Sequence, residues 1–280
     1  MKTIIADSSS LCYQAKHTLS LDYDGVEVGI IFSFLRQVLT LAKTFNTNQF
    51  VFTWDSRDSE RKKYFPAYKA NRQEKKLSEE EKEFESVCYR QFNDLKNTIL
   101  PEIGFQSYYQ KGFEADDLIA SIVVNNPAEE KIIATNDNDL YQLLSPNTSL
   151  YHKELYTIDT FEAEYDISPN KWVYVKSLTG CLSDGIPGIE GIGIKTAIKF
   201  LKKELKITSN AYQQIKKSKK ISDFNLLLVS LPYPGIEKIK LPEEYNLSYK
   251  NFVSVLTRYG FRSMLTKEYL DQCRNLLKLQ

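Results

Sequence analysis

Eight carboxylates in this chain fall where acids are able to act together. Asp7 follows the apolar run TIIA (3–6), Asp55 closes FVFTW (50–54), and Asp137 follows KIIAT (131–135). The segment GFEADDLIASIVV places Glu114, Asp116 and Asp117 at the start of a helix-like run; TNDNDLYQLL adds Asp139 beside Asp137, and Asp184 completes the set. Glu114 and Asp117, three apart, share a helix face, and Asp137 and Asp139, two apart, point the same way in an extended segment. Each group also has a plainer reading. Acids in a first helical turn are favoured by the helix dipole, and Asp-rich stretches after strands make capping turns. Gathered in one pocket, the eight would repel one another too strongly to persist without cations. Oxygen donors with no histidine among them suit Mg²⁺, with Mn²⁺ as a substitute, far better than zinc. Two such ions are a device for phosphodiester cleavage, one generating hydroxide and the other stabilising the leaving oxygen.

The elements that must position these acids follow from the apolar patterning. Through the first 160 or so residues, short apolar runs alternate with amphipathic stretches, which predicts βαβ units around a mostly parallel central sheet flanked by helices, an α/β fold. Strands running straight into Asp7, Asp55 and Asp137 should bring these carboxylates to one edge, because ligands of open α/β sheets sit at the carboxyl ends of the strands. A long insertion, about 57–100, starts with a basic, aromatic part and continues from Ser78-Glu79-Glu80-Glu81, a capping-box start for a helix reaching about Ile99. Such a length between strands is usually functional, the alternative being a plain crossover helix. From Pro169 the strand signal fades, and helices are expected over 171–179, 194–205, 209–218, 222–230, 249–258 and 265–278. Residues 1–168 therefore form the expected α/β core and 169–280 a helical subdomain.

At 280 residues with 37 Lys+Arg against 36 Asp+Glu, net charge says nothing of a polyanionic partner, but its distribution does. Residues 57–76 carry eight basic and three acidic side chains, and 195–220 carry nine lysines and one acid. Basic segments apart from gathered acids suit a phosphate backbone and a metal site in one molecule. The cysteines Cys12, Cys88, Cys181 and Cys273 form no C-x-x-C pair, which predicts free thiols in a reducing cytoplasm. No run approaches the roughly 18 apolar residues of a membrane span, and the start is too short an apolar run for a signal peptide. A soluble protein with no membrane partner is expected.

Five of the eleven glycines lie in TGCLSDGIPGIEGIGIKTA (179–197). The stretch is not a Walker A loop, because Ile194 precedes Lys195-Thr196, and it is not a dinucleotide loop, because Gly188, Gly191 and Gly193 run G-x-x-G-x-G with no strand before them. A tight turn between two helices remains, its glycines letting backbone amides approach a phosphate. Lysines along the following helix then suit duplex binding without sequence preference.

In this order, Asp7, TWD (53–55), YKANR (68–72), FEADD (113–117), TNDNDLYQLL and TGCLSDGIPGIEGIGIKTA resemble the 5′-nuclease or flap endonuclease family, in particular its phage 5′-exonuclease branch, and are similar to the N-terminal domain of bacterial DNA polymerase I. The resemblance spans residues 1 to about 230. It implies an α/β nuclease core with two Mg²⁺ sites, a helical arch over the active site (57–100) and a helix-three-turn-helix (about 184–205) that holds K⁺ and grips duplex DNA. By position it implies metal ligation by Asp7, Asp55, Glu114, Asp116, Asp117, Asp137, Asp139 and Asp184. Lys69 and Arg72 would contact the scissile phosphate, and Arg61, Gly188, Gly191, Gly193, Lys195, Thr196 and Lys199 would contact DNA. The implied substrates are DNA 5′ ends, flaps and nicks, with RNA–DNA hybrids as a further class, cut by a monomer during replication in a bacterial or phage-infected cytoplasm. Two departures stand out: Cys181 occupies a position where the family typically has Asp, which puts the second metal in doubt, and Gln14 one where it commonly has Arg, with Lys16 close enough to replace it in part. A branched-DNA binding protein with impaired chemistry is the alternative that Cys181 favours.

Overall fold

The apolar runs that end in acids become adjacent parallel strands, as their patterning predicts. The computed structural model describes residues 2–16, 20–70 and 78–280. In chain order the strands are β1 (Lys2–Asp7), β2 (Asp22–Tyr23), β3 (Val26–Glu27), β4 (Phe50–Thr53), β5 (Gln106–Tyr108), β6 (Glu130–Ala134), β7 (Thr148–Tyr151), β8 (Leu155–Tyr156), β9 (Gly180–Cys181) and β10 (Ile186–Pro187). The helices are α1 (Ser8–Ala15), α2 (Gly29–Phe45), α3 (Glu60–Tyr64), α4 (Glu79–Asp94), α5 (Leu100–Ile103), α6 (Ala115–Asn125), α7 (Ile158–Tyr165), α8 (Trp172–Thr179), α9 (Ile194–Leu201), α10 (Asn210–Lys217), α11 (Lys219–Val229), α12 (Tyr249–Arg258) and α13 (Lys267–Leu277).

The main sheet runs β5-β4-β1-β6-β7-β8, parallel except for β8, which returns antiparallel to β7. Central β1 pairs with β4 (Ile4 opposite Phe50) and with β6 (Ile4 opposite Ile132). A strand buried on both faces cannot alternate apolar with polar residues, which is why these segments read as continuous apolar runs. Successive side chains go to opposite faces. Ile4, Ala6, Phe50 and Phe52 enter one core with α2, whereas Ile5, Val51 and Ile133 enter a second with α6 and α8. The hairpin strands β7 and β8 were not expected from sequence.

Helix α4 starts at the expected capping box, Ser78 Oγ accepting from Glu81 N while the Glu81 carboxylate accepts from Ser78 N. It passes through a π-type turn at Leu95–Ile99 into α5, so the helical run extends beyond Ile99. One expectation is corrected. Helices α12 and α13 lie within the segment assigned to a helical subdomain, yet Phe252, Val255, Leu256, Cys273 and Leu277 sit in the same core as Ile4, Phe34 and Phe50. Their apolar stripes had no partner visible in sequence; α2 and α5 supply it. Residues 169–229 pack on the opposite face of the sheet, as Trp172, Val175, Ala197 and Ile215 show. Among the described residues, no helix is long and apolar enough to cross a membrane.

The two tryptophans report the two cores separately, Trp54 on the first and Trp172 on the second. Phe252, 1% exposed, should cost about 3–5 kcal/mol on truncation to Ala. We predict that, in a Trp172→Phe background, Phe252→Ala shifts the urea unfolding of Trp54 fluorescence by that amount. An unmoved Trp54 transition would mean that α12 and α13 fold independently of the sheet.

Candidate active site

At the carboxyl end of the sheet lies a cleft of about 680 Å³ whose lining includes Asp7, Asp55, Glu114, Asp116, Asp137, Asp139 and Asp184. Seven of the eight predicted acids thus meet. Each is fixed by local backbone geometry. Asp7 caps α1, accepting from Ser10 N (3.0 Å) and from the buried Thr135 hydroxyl (3.1 Å). Asp55 accepts from Ala115 N at 2.8 Å, which joins the end of β4 to the first turn of α6. Asp137 accepts from Asp139 N at 2.7 Å. The capping-turn reading of TNDND is therefore also correct: the turn that caps is the turn that aims the acids.

Asp117 is the exception, and it corrects two expectations. Its carboxylate is fully buried and takes both guanidinium nitrogens of Arg61, Nη1 at 2.6 Å and Nη2 at 2.8 Å, along with Tyr233 N at 2.8 Å. All its lone pairs face protein, so it has none to offer a metal in the cleft. Arg61, 3% exposed, also donates through Nε to Leu228 O and through Nη2 to Ser230 O, and is too enclosed to reach DNA. The sequence placed Asp117 in FEADD and Arg61 in a basic segment; nothing in it distinguished a cleft-facing acid from one paired inward.

Two lysines stand among the acids. Lys69 Nζ lies 2.8 Å from Glu114 Oε1 and 3.9 Å from Asp184 Oδ1, and Lys176 Nζ lies 2.6 Å from Asp139 Oδ1. Lys176 was not foreseen, because a lone lysine on a helix carries no pattern. Tyr68, also unforeseen, donates to Glu114 Oε2 at 2.9 Å. Lys69 holds φ at 54°, and its N–H donates to Asp184 O at 2.8 Å. A left-handed lysine is unfavourable and persists only where its surroundings fix it. Arg72 lies outside the described residues.

Electrostatics divide the cleft. Burial, then the Asp55 carboxylate, pushes Asp7 up to about 7. Burial, then Asp137, Asp7 and Asp55, pushes Asp116 well above the carboxylate range. Burial and Asp139 raise Asp137. Burial would raise Glu114 too, but Lys69 and Arg61 win and hold it below its ordinary value. A wall of acids that resist ionising is the chemistry of a cation site, and its donors are all oxygen. Asp139, Cys181 and Asp184 form a separate group whose ligand atoms all lie within 4.8 Å of one another. Cys181 and Asp184 come together there through β9 and a 3₁₀ turn rather than along an α-helix.

The glycine turn follows. Gly188 packs so closely on Thr179 that a Cβ would lie 2.1 Å from its carbonyl oxygen, so its small size serves packing. Gly191 takes φ of 73°, and Gly193 caps α9 with open space around it and no side-chain cap. Lys195 and Lys199 are exposed on α9 and Thr196 is half-buried there.

Raised folded-state pKa values mean that proton uptake stabilises the metal-free fold at low pH and that this support is lost as pH rises through the folded value, about 7 for Asp7. We predict that the Tm of metal-free protein falls between pH 6 and pH 8, and that Mg²⁺ or Mn²⁺ restores it. Asp116→Asn should raise the metal-free Tm at pH 8 and blunt the gain from metal; a lower metal-free Tm would show that Asp116 does not carry unfavourable charge. Asp117→Ala should cost about 3–5 kcal/mol by stranding a buried guanidinium, and a change under 1 kcal/mol in urea unfolding would contradict that.

Over residues 2–166 the chain matches the family described as 5′-3′ exonuclease, N-terminal resolvase-like domain. A 5′-3′ exonuclease of Halalkalibacterium halodurans is 33% identical over 201 residues, covering 68% of this chain and 63% of that protein. One from Buchnera aphidicola subsp. Acyrthosiphon pisum is 29% identical over 256 residues, covering 88% and 84%. The bacteriophage T5 D15 flap endonuclease, in a pseudo-enzyme-product complex with DNA and metal ions, shares the fold at a TM-score of 0.72 and 21% identity, covering 99% of this chain and 98% of that one. With its sheet, its acidic cleft and these likenesses, the chain belongs to the 5′-3′ exonuclease family.

Proposed function

We propose that this chain is a divalent-metal-dependent, structure-specific 5′-nuclease that cuts DNA at 5′ ends, flaps and nicks. The convergence of seven acids and two lysines in one cleft at the sheet's carboxyl edge carries the reading. When bound, divalent cations supply water activation and charge neutralisation at the leaving oxygen. Asp7, Asp55, Asp116 and Asp137 hold the first cation, while Glu114 is committed to Lys69 and Tyr68. Lys69, pinned by its backbone, sets a positive charge where the scissile phosphate gathers charge in the transition state; Arg72 shares that role. The uncapped start of α9 offers amides to a phosphate of the duplex, and Lys195, Thr196 and Lys199 extend the contact along the backbone. Gly191 and Gly193 let the duplex approach, and carbonyls of the same turn hold K⁺. Helices α3 and α4 belong to the proposed arch, of which residues 71–77 lie outside the described residues.

The enzyme acts as a monomer in replication and primer or flap removal, with RNA–DNA hybrids as a further substrate class, in a bacterial or phage-infected cytoplasm. The T5 5′-exonuclease has been solved with zinc bound, so ions other than Mg²⁺ are admissible in this fold. The rival, a branched-DNA binding protein without chemistry, rests on Cys181 alone.

Cleavage of a labelled 5′ flap in Mg²⁺ or Mn²⁺, abolished by EDTA, is the expected result; binding without cleavage in either metal would favour the rival. Lys69→Ala should lower the single-turnover rate by about 10²–10³ with binding within a few-fold. If only affinity changed, Lys69 would be an ordinary phosphate contact. Replacing Lys195 and Lys199 together should weaken duplex binding and reduce the salt slope by about 2, and an unchanged slope would remove α9 from the duplex interface.

A further inference from the structure

Among the described residues, Asp139, Cys181 and Asp184 are the group of potential metal ligands whose donor atoms all lie within 4.8 Å of one another. These donors are held by backbone. Cys181 pairs with Ile186 across β9 and β10, Asp139 N is tied to Asp137 at 2.7 Å, and the Asp184 carbonyl accepts from Lys69 N at 2.8 Å. Donors about 2.0 to 2.3 Å from one tetrahedral ion stand roughly 3.5 Å apart, so small side-chain shifts would close the group on a single ion.

Charge decides which ion. Lys176 Nζ lies 2.6 Å from Asp139, and Lys69 Nζ, which pairs with Glu114 at 2.8 Å, lies 3.9 Å from Asp184, so both carboxylates of the group already face an ammonium group, Asp184 one that it shares with Glu114. Mg²⁺ binds through charge and a near-ideal octahedron of oxygens, and this place offers it two protein carboxylates, each with lysine countercharge beside it. A thiolate binds a softer ion through sulfur covalency, which nearby ammonium groups oppose far less. Lys176 contacts Oδ1 of Asp139, and the carboxylate has a second oxygen to give.

We infer that Asp139, Cys181 and Asp184 form a mixed thiolate and carboxylate site that selects a soft divalent ion, zinc or cobalt, over Mg²⁺. The inference rests on the reading of the cleft as a metal-dependent nuclease site and adds its ion selectivity. On binding, the Cys181 S–H bond breaks, one sulfur–metal bond forms and one proton leaves to solvent.

The test is a Co²⁺ titration of the full chain without DNA. A thiolate-to-cobalt charge-transfer band should grow to saturation, with one proton released for each ion that builds the band. The band, and the proton release that tracks it, should vanish in Cys181→Ser and in Cys181→Asp, while excess Mg²⁺ should fail to displace the band in the original chain. Metal-free melting curves show whether each variant is folded. Cys12, Cys88 and Cys273 are buried, and a band that survives in folded Cys181→Ser would belong to one of them and overturn the assignment. So would the absence of any band at saturating cobalt, or its loss to Mg²⁺. Flap cleavage in Mg²⁺ without the band would defeat the soft-ion site and leave the nuclease reading standing; the band without cleavage in any metal would do the reverse.

Discussion

The buried Arg61–Asp117 pair is the constraint on which the site's geometry depends. Through it, three segments distant in sequence meet: α3, the start of α6, and the end of α11 with the chain beyond it, where Leu228 O and Ser230 O accept from the guanidinium and Tyr233 N donates to the Asp117 carboxylate. A charge this enclosed tolerates only a fully paired arrangement, because leaving one partner alone costs several kcal/mol. Asp117 Oδ2 also accepts from Glu114 N at 3.2 Å, so the pair fixes the backbone that launches Glu114 and Asp116 into the cleft. An acid that never faces the cleft thus sets the position of two that do.

Within that frame the acids and lysines form two electrostatic halves. Around Asp7, Asp116 and Asp137, burial and mutual repulsion oppose ionisation, and cations relieve the conflict. Around Glu114, Asp139 and Asp184, Lys69 and Lys176 already provide countercharge. One cleft therefore offers unlike sites: an all-oxygen wall short of positive charge, and a pocket with lysine countercharge and a sulfur donor.

Much of this was legible in the sequence, for a definable reason. A central parallel strand must be apolar on both faces, so TIIA, FVFTW and KIIAT announced themselves, and the acids closing them had to share an edge. Capping chemistry is local, so the start of α4 was readable as well. Pairings across long separations were not. Asp117 looks like its neighbour Asp116, and only the fold shows that one faces Arg61 and the other the cleft. Lys176 gave no local signal, and the stripes of α12 and α13 were consistent with either a separate subdomain or the core they join.

The glycine-rich turn and Lys69 are also in direct contact. Gly185 takes φ of 70°, and a Cβ there would lie 2.9 Å from Ala67 O; this close approach lets Lys69 N reach Asp184 O. Tyr68 is buried beside Ile186, Leu228 and Val229, which closes the contact from the other side. The φ of 54° at Lys69 is held by these neighbours, and one hydrogen bond joins its backbone to Asp184, at the start of the turn. On the proposed reading of the cleft, that short path joins the turn offered to the duplex to the lysine offered to the phosphate.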